Sequence, residues 1–260
     1  MRITFLGTGT SQGVPMIGCD CATCRSADPR DARLRPSIFI ETAATKLLVD
    51  AGPDLRAQAL RYGLRHLDAI LFTHGHADHI LGLDDVRRFN WMMKRAMTCY
   101  GDVQTLDDIR KTFHYVFDPA TPKGGGLPDL ELAPIHGPLR IGDIDVQPVP
   151  LWHGKRSILG FRFGGFAYLT DCNRLDDAAW PLLGGLEVLV LDALRTRPHP
   201  THFSLDEATE VAARLGARRT FFTHMCHDLP HQSTNARLPE GMALAYDGLI
   251  LDMAGDSALS

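Results

Sequence analysis

Thr73-His-Gly-His-Ala-Asp-His79 is the stretch on which the reading of this chain turns. It closes Ala69–Thr73 (AILFT), a short apolar run that reads as a buried strand. His74, His76, Asp78 and His79 thus stand within six residues, directly at a strand end. A tight loop there can splay alternate side chains toward two neighbouring points, so one segment can serve two ions. Imidazole and carboxylate together suit Zn, Mn or Fe. The bland alternative is a polar surface loop that happens to be rich in histidine; the density and placement of the cluster argue against it.

One loop cannot complete two coordination shells, so further ligands are sought outward along the chain. His153 follows VQPVPLW, Asp171 follows FAYLT and His224 follows TFFT. Each comes just after an apolar run, the position where open α/β sheets gather their sites. Singly each claim is weak, because a lone histidine is more often structural and Asp171 could cap a following helix. Jointly, four strand-end loops supplying His or Asp point to one metal site.

The surrounding pattern is α/β, with strands and helices alternating and no break in composition. Arg2–Leu6, Ser37–Glu41 and Lys46–Val49 read as strands, as do Ile144–Pro148, Leu159–Phe163, Ala167–Thr170, Val188–Leu191 and Thr220–Thr223. Asp54–Tyr62 reads as a helix stopped by Gly63. Ser204-Leu-Asp-Glu207 forms a capping-box pattern that opens a helix to Leu215, with Gly216 as its stop. The Pro- and Gly-rich stretch Phe117–Pro128 is expected to be a loop, either a lid over the site or an ordinary surface connection.

With 260 residues, 45% of them hydrophobic, the chain can bury a substantial core, and residues 1–260 are read as one domain. The net charge of −4 and the lack of a basic stripe give no support to a nucleic-acid partner. No secretory leader and no membrane-spanning run is visible, so the expected address is cytoplasmic, with no membrane partner. A homodimer is an expectation tied to no particular residue.

THGHADH resembles the HxHxDH signature of the metallo-β-lactamase superfamily. The order Asp50, then His74, His76, Asp78 and His79, then His153, Asp171 and His224 matches the superfamily's motif series over nearly the whole chain. The resemblance implies a four-layer αββα sandwich with the site at one edge of two facing sheets. It implies that His74, His76 and His153 bind a first divalent metal (Zn or Mn), that Asp78, His79 and His224 bind a second, and that Asp171 bridges them. Asp50, at the end of KLLVD, matches a supporting position. Ions held about 3.5–4 Å apart would deprotonate a water between them and neutralise charge in the transition state.

Gly18-Cys-Asp-Cys-Ala-Thr-Cys24 has C-x-C-x-x-C spacing. A tetrahedral structural zinc needs a fourth, distant ligand besides Cys19, Cys21 and Cys24. His227 in THMCHDLPH is the choice, with Cys226 and His231 as rivals. An iron–sulfur cluster and plain buried thiols are the other readings. GTGTSQGVP, the cysteines and that histidine together resemble the PhnP-like branch of the superfamily, whose members include cyclic phosphodiesterases. In that branch three cysteines and a histidine hold a structural zinc. The middle of the chain, Trp91–His136, carries no matching motif.

His202 precedes the capped helix and suits a proton donor to a phosphodiester's leaving oxygen. The resemblance gives a histidine there that task or the holding of phosphate; a plain capping or packing histidine is the alternative. His202, with Asp78 of the metal loop, is the expected catalytic residue. Lys155 and Arg156 either reach a substrate phosphate or form an exposed charged turn. Gly7-Thr-Gly-Thr-Ser-Gln-Gly13 lacks the spacing and the following helix of a dinucleotide-binding loop; its glycines allow a tight turn, and Ser11 is placed near substrate.

The substrate expected is therefore a small phosphorylated molecule, a cyclic phosphodiester of phosphoribosyl or nucleotide type. A tRNA 3′-processing endonuclease would share the HxHxDH loop, but calls for a basic arm. Trp91–Glu131 holds five Lys/Arg against six Asp/Glu. Thioester or lactam hydrolysis would use the same metals. A non-catalytic zinc module would be expected to have lost ligands, and all seven candidates are present.

Overall fold

Runs of branched and aromatic side chains that are buried on both faces form the strands at the centre of the chain. The computed structural model describes residues 1–122, 124 and 126–253. The strands of the N-terminal half are β1 (Arg2–Gly7), β2 (Ser37–Glu41), β3 (Lys46–Val49), β4 (Ala69–Leu71), β5 (Met97–Gly101) and β6 (Leu130–Pro134). Those that follow are β7 (Leu139–Ile141), β8 (Ile144–His153), β9 (Arg156–Phe163), β10 (Phe166–Leu169), β11 (Arg174–Leu175), β12 (Val188–Asp192), β13 (Arg219–Thr223), β14 (Met242–Leu244) and β15 (Ile250–Asp252). The first sheet has the order β15-β1-β2-β3-β4-β5-β6, and the second β11-β8-β9-β10-β12-β13-β14, with β7 paired to β8.

Helices cover the outer faces. They are α1 (Leu55–Tyr62), α2 (Ala77–Ile80), α3 (Arg87–Met93), α4 (Val103–Thr112), α5 (His114–Phe117), α6 (Leu205–Leu215) and α7 (His231–Asn235). Three apolar layers follow. Ile3, Phe5, Ile40, Val49 and Leu71 of the first sheet meet Phe161, Phe163, Tyr168 and Val190 of the second. Leu48, Ile70 and Cys99 face outward onto Leu55, Phe89 and Ile109 of the helices. On the far side, Leu169, Leu189, Leu191 and Phe222 pack on Leu205, Ala208 and Ala212. This is the expected αββα sandwich.

Strands expected from the sequence recur within a few residues, except that β8 and β9 run longer, forming a hairpin that carries His153 in register with Arg156. Ser204 and Glu207 form the expected capping box, and Gly216 ends α6 at φ 64°. In the centre of the chain, β5, β6 and α4 complete the first sheet and its cover. Of the stretch 117–128 considered as a lid, Lys123 and Gly125 lie outside the described residues. Among the described residues no helix is long and apolar enough to cross a membrane.

Candidate metal centre

The centre is built from strand ends of both sheets. Asp50, fully buried after β3, is its first fixed point. One of its carboxylate oxygens accepts from the Thr73 backbone N–H at 2.9 Å. The other accepts from the Thr73 hydroxyl at 2.9 Å and from His79 Nδ1 at 2.7 Å. Thr73 Oγ1, its proton committed to Asp50, lies 3.1 Å from His74 Nδ1 and can accept from it. Both imidazoles are therefore held by Nδ1 and present Nε2 to the centre, the arrangement that fixes tautomer and ring orientation in metal-ligating histidines.

The loop between them is tightly seated. A Cβ on Gly75 would meet the Asp108 side chain at 2.6 Å, and one on Gly52 would collide with the Asp78 carbonyl, so glycine is required at both. α2 starts immediately after His76 and puts Asp78 and His79 on its first turn.

The second sheet supplies His153 at the end of β8, Asp171 after β10 and His224 after β13. Asp50, Asp171 and His224 have φ of 63°, 55° and 60°; Lys94 at φ 56° is the fourth non-glycine residue of that kind among those described. Such backbone costs on the order of 1 kcal/mol or more per residue and persists where the surroundings over-determine it.

The result is two groups whose prospective ligand atoms lie within 4.8 Å of one another: His74, His76 and His153; and Asp78, His79, Asp171 and His224. Asp171 stands between them. Its Oδ2 is 3.7 Å from His74 Nε2 and 3.2 Å from His79 Nε2, and its Oδ1 is 3.0 Å from His224 Nε2. All seven side chains expected as ligands are thus brought together.

The electrostatics suit cations. Burial pushes His74 well below the ordinary histidine range and His153 down to about 4, which keeps both neutral and ready to donate lone pairs. Burial opposes a charge on His79 as well, yet Asp171, Asp50 and Asp78 outweigh it and raise its pKa well above the usual value. The carboxylates therefore draw positive charge into a dry site. His74 Nε2, His79 Nε2, His224 Nε2 and His153 Nδ1 are buried without a hydrogen-bond partner, a costly condition that coordination relieves.

Asp192 is the functional residue the sequence reading missed. It ends β12 after the fully buried run Val188–Leu191, the same strand-end signal that marks Asp171. One of its oxygens accepts from the Asp171 N–H at 3.2 Å and from His202 Nδ1 at 3.2 Å, with His224 Nδ1 3.6 Å away. The other accepts from the Phe203 N–H at 3.0 Å. His202 is stacked on His224 with ring centroids 4.7 Å apart, and meets His153 edge-on at 4.7 Å. Burial lowers the His202 pKa.

Cys19, Cys21 and Cys24 gather around His227, whose Nδ1 lies 3.3, 3.4 and 3.6 Å from their sulfurs. A tetrahedral zinc with its usual bond lengths separates S and N ligands by about 3.5 Å. The rivals for the fourth place stand elsewhere. Cys226 accepts from the Asp228 N–H at 3.3 Å, and the His231 ring packs against Tyr246. The Cys24 N–H helps draw the Cys21 thiol down to about 7. Lys155 is exposed, while Arg156 donates to Asp108 at 2.6 Å.

Two facing sheets that share one cluster of histidines and carboxylates define a metal-dependent hydrolase, and a β-lactamase superfamily domain model matches residues 45–225. A solved structure described as a new diphosphatase from the PhnP family is 46% identical, with a TM-score of 0.91, over 97% of this chain and 98% of that one. The chain belongs to the PhnP family within the β-lactamase superfamily. Octanoyltransferase of Porphyromonas gingivalis (strain ATCC BAA-308 / W83) is 39% identical over 98% of this chain; the chain spans only 52% of that relative's length. Zn2+-bound PqqB from Methylobacterium extorquens shares the fold at 21% identity and a TM-score of 0.78, over 97% of this chain and 100% of that one. The fold implies divalent metal ions, and the two His/Asp groups fit them.

Proposed function

We propose that this chain is a dinuclear metal-dependent phosphodiesterase acting on a small cyclic phosphodiester of phosphoribosyl or nucleotide type. The observation that carries the reading is Asp171 lying between two ligand groups, with His202 beside them and backed by Asp192. His74, His76 and His153 would hold one ion, Asp78, His79 and His224 the other, and Asp171 would join both. Zn and Mn both suit these donors. The thiolate group with His227 would hold a third, structural Zn.

A pair of divalent ions supplies water activation and neutralisation of phosphoryl charge when bound. The protein's own part is orientation and proton transfer. Asp50 and Asp192 fix the imidazoles from behind. Asp192 accepts a hydrogen bond from His202 Nδ1, so that a second proton taken up by the ring sits on Nε2, from which the imidazolium would give it to the departing oxygen. No Ser or Cys nucleophile is needed. A chain without a basic arm fits a small substrate better than RNA.

The diphosphatase relative favours a second reading, in which the same centre cleaves a phosphoanhydride. Turnover of 2′,3′-cyclic AMP and of ADP-ribose by metal-loaded protein separates the two. Thioester cleavage with neither phosphorus substrate touched would end both. His76→Ala is expected to lower turnover at least about 1,000-fold and to reduce bound metal by elemental analysis. Because His76 is exposed, its melting temperature should stay within a few degrees of wild type.

A further inference from the structure

We propose that Asn173 is a positioning residue for proton transfer to the leaving oxygen, holding the loop of His202 against the hairpin of His153; the inference rests on the phosphodiesterase reading above. The two histidines come from separate segments. His153 ends β8 at the tip of the β8–β9 hairpin, and His202 stands in the connection from β12 to α6. Their rings nonetheless meet edge-on, with centroids 4.7 Å apart.

Asn173, half-buried two residues beyond Asp171, reaches both segments with one amide. Its Oδ1 accepts from the N–H of Gly154, next to His153, at 2.9 Å. Its Nδ2 donates to the carbonyl of Pro200, just before Thr201 and His202, at 3.0 Å. Its own N–H donates to the Trp152 carbonyl at 3.0 Å, which anchors the amide beside the end of β8. A carboxylate in its place could accept from Gly154 but would turn a second acceptor toward the Pro200 carbonyl. The seam is close, since a Cβ on Gly154 would meet Thr201 Cγ2 at 2.9 Å. On the far side of His202, the Phe203 N–H is shared between the Cys172 carbonyl at 2.9 Å and Asp192 at 3.0 Å. The backbone carrying His202 is thus pinned at both ends, and Asn173 supplies the pin on the hairpin side. Asp192 holds the ring, whereas Asn173 holds the ring's distance from His153. A misplacement of about 1 Å at such a group can cost about 100-fold in rate.

In the step concerned, a water oxygen bonds to phosphorus and the P–O bond to the leaving oxygen breaks with its electron pair on that oxygen. The imidazolium proton of His202 neutralises it, and the proton lost by the water restores the imidazolium through solvent. The test compares two diesters on Mn2+-loaded protein. The alkoxide leaving from 2′,3′-cyclic AMP needs that proton, whereas the nitrophenoxide leaving from bis(4-nitrophenyl) phosphate does not. Asn173→Ala and Asn173→Asp should lower kcat on the cyclic nucleotide about 10- to 100-fold and on the nitrophenyl diester less than about 3-fold. Metal content and melting temperature should stay those of wild type. His202→Ala, the reference, should give the same contrast between the diesters. If it does and the Asn173 variants lose equally on both substrates, or on neither, the positioning role is overturned. Equal loss in His202→Ala itself overturns it too, because no proton donor is left to position. If wild type fails to hydrolyse 2′,3′-cyclic AMP, the phosphodiesterase reading fails by itself, and amide exchange then judges the clasp. Exchange in residues 199–203 at least about 10-fold faster in Asn173→Ala, with β13 unchanged, supports it, and equal exchange overturns it.

Discussion

Single side chains behind the prospective ligands would set how well the proposed centre works. Asp192 joins His202, His224 and the backbone of Asp171, yet lies behind all three. Asp192→Asn places an amide donor against a set of donors. We expect kcat to fall about 10- to 100-fold, with KM changed far less. Steady-state kinetics checks this, with metal content measured alongside to show that the ions stay bound. Asp247 acts on stability instead. It accepts from the Leu34 N–H at 2.7 Å and the Thr8 hydroxyl at 2.8 Å, and burial raises its pKa to about 6. The folded state thus binds a proton more tightly than the unfolded chain, whose value is about 3.9. Its contribution is fully present below about pH 4 and is lost as pH rises through about 6. An asparagine can keep both contacts by accepting from Leu34 and donating to Thr8. Asp247→Asn should therefore gain about 1–2 kcal/mol relative to wild type between pH 4 and 7, read from urea unfolding at the two pH values.

Among the elements, the cysteine loop and the turn after β13 are joined at two levels. His227 meets the thiolates three residues after His224 enters the metal centre. Buried Arg33 donates to the carbonyls of Cys226 and Leu229 from the other side. Cys21→Ser should release one metal equivalent, lower the melting temperature by about 5–10 °C and reduce turnover through His224. Elemental analysis and thermal unfolding check these outcomes. The same elements show what the sequence made legible. Apolar runs ending in His or Asp identified the strand ends, since a buried strand and a polar ligand differ sharply in chemistry. Asp192 carried the same mark, but its neighbours Ala193 and Leu194 prolong the apolar run and blur the end. Residues 91–136 were obscure for another reason. β5, MTCYG, alternates buried with half-buried positions, and α4 owes its place to Leu106 and Ile109 packing on the outer face of the first sheet, a contact between distant segments.

On the scale of the whole molecule, the prospective ligands divide between the sheets: His74, His76, Asp78 and His79 from one, His153, Asp171 and His224 from the other. Ions held there would brace the edge of the sandwich. Chelation should speed amide exchange at least about 10-fold in residues 74–79, 171–173 and 224–228, while β2 and β12, deep in the sheets, remain protected. Mass-spectrometric exchange of loaded and stripped protein reads this directly. β13 adds to β12 in parallel only after α6 has been made, and the chain's last described strand, β15, returns to lie beside β1. A ribosome-bound chain that has not yet released residue 224 therefore lacks one of the seven side chains gathered at the centre, and β1 has β2 beside it but not yet β15. Hydrolytic competence would therefore wait on residue 224, long after residues 74–79 have emerged.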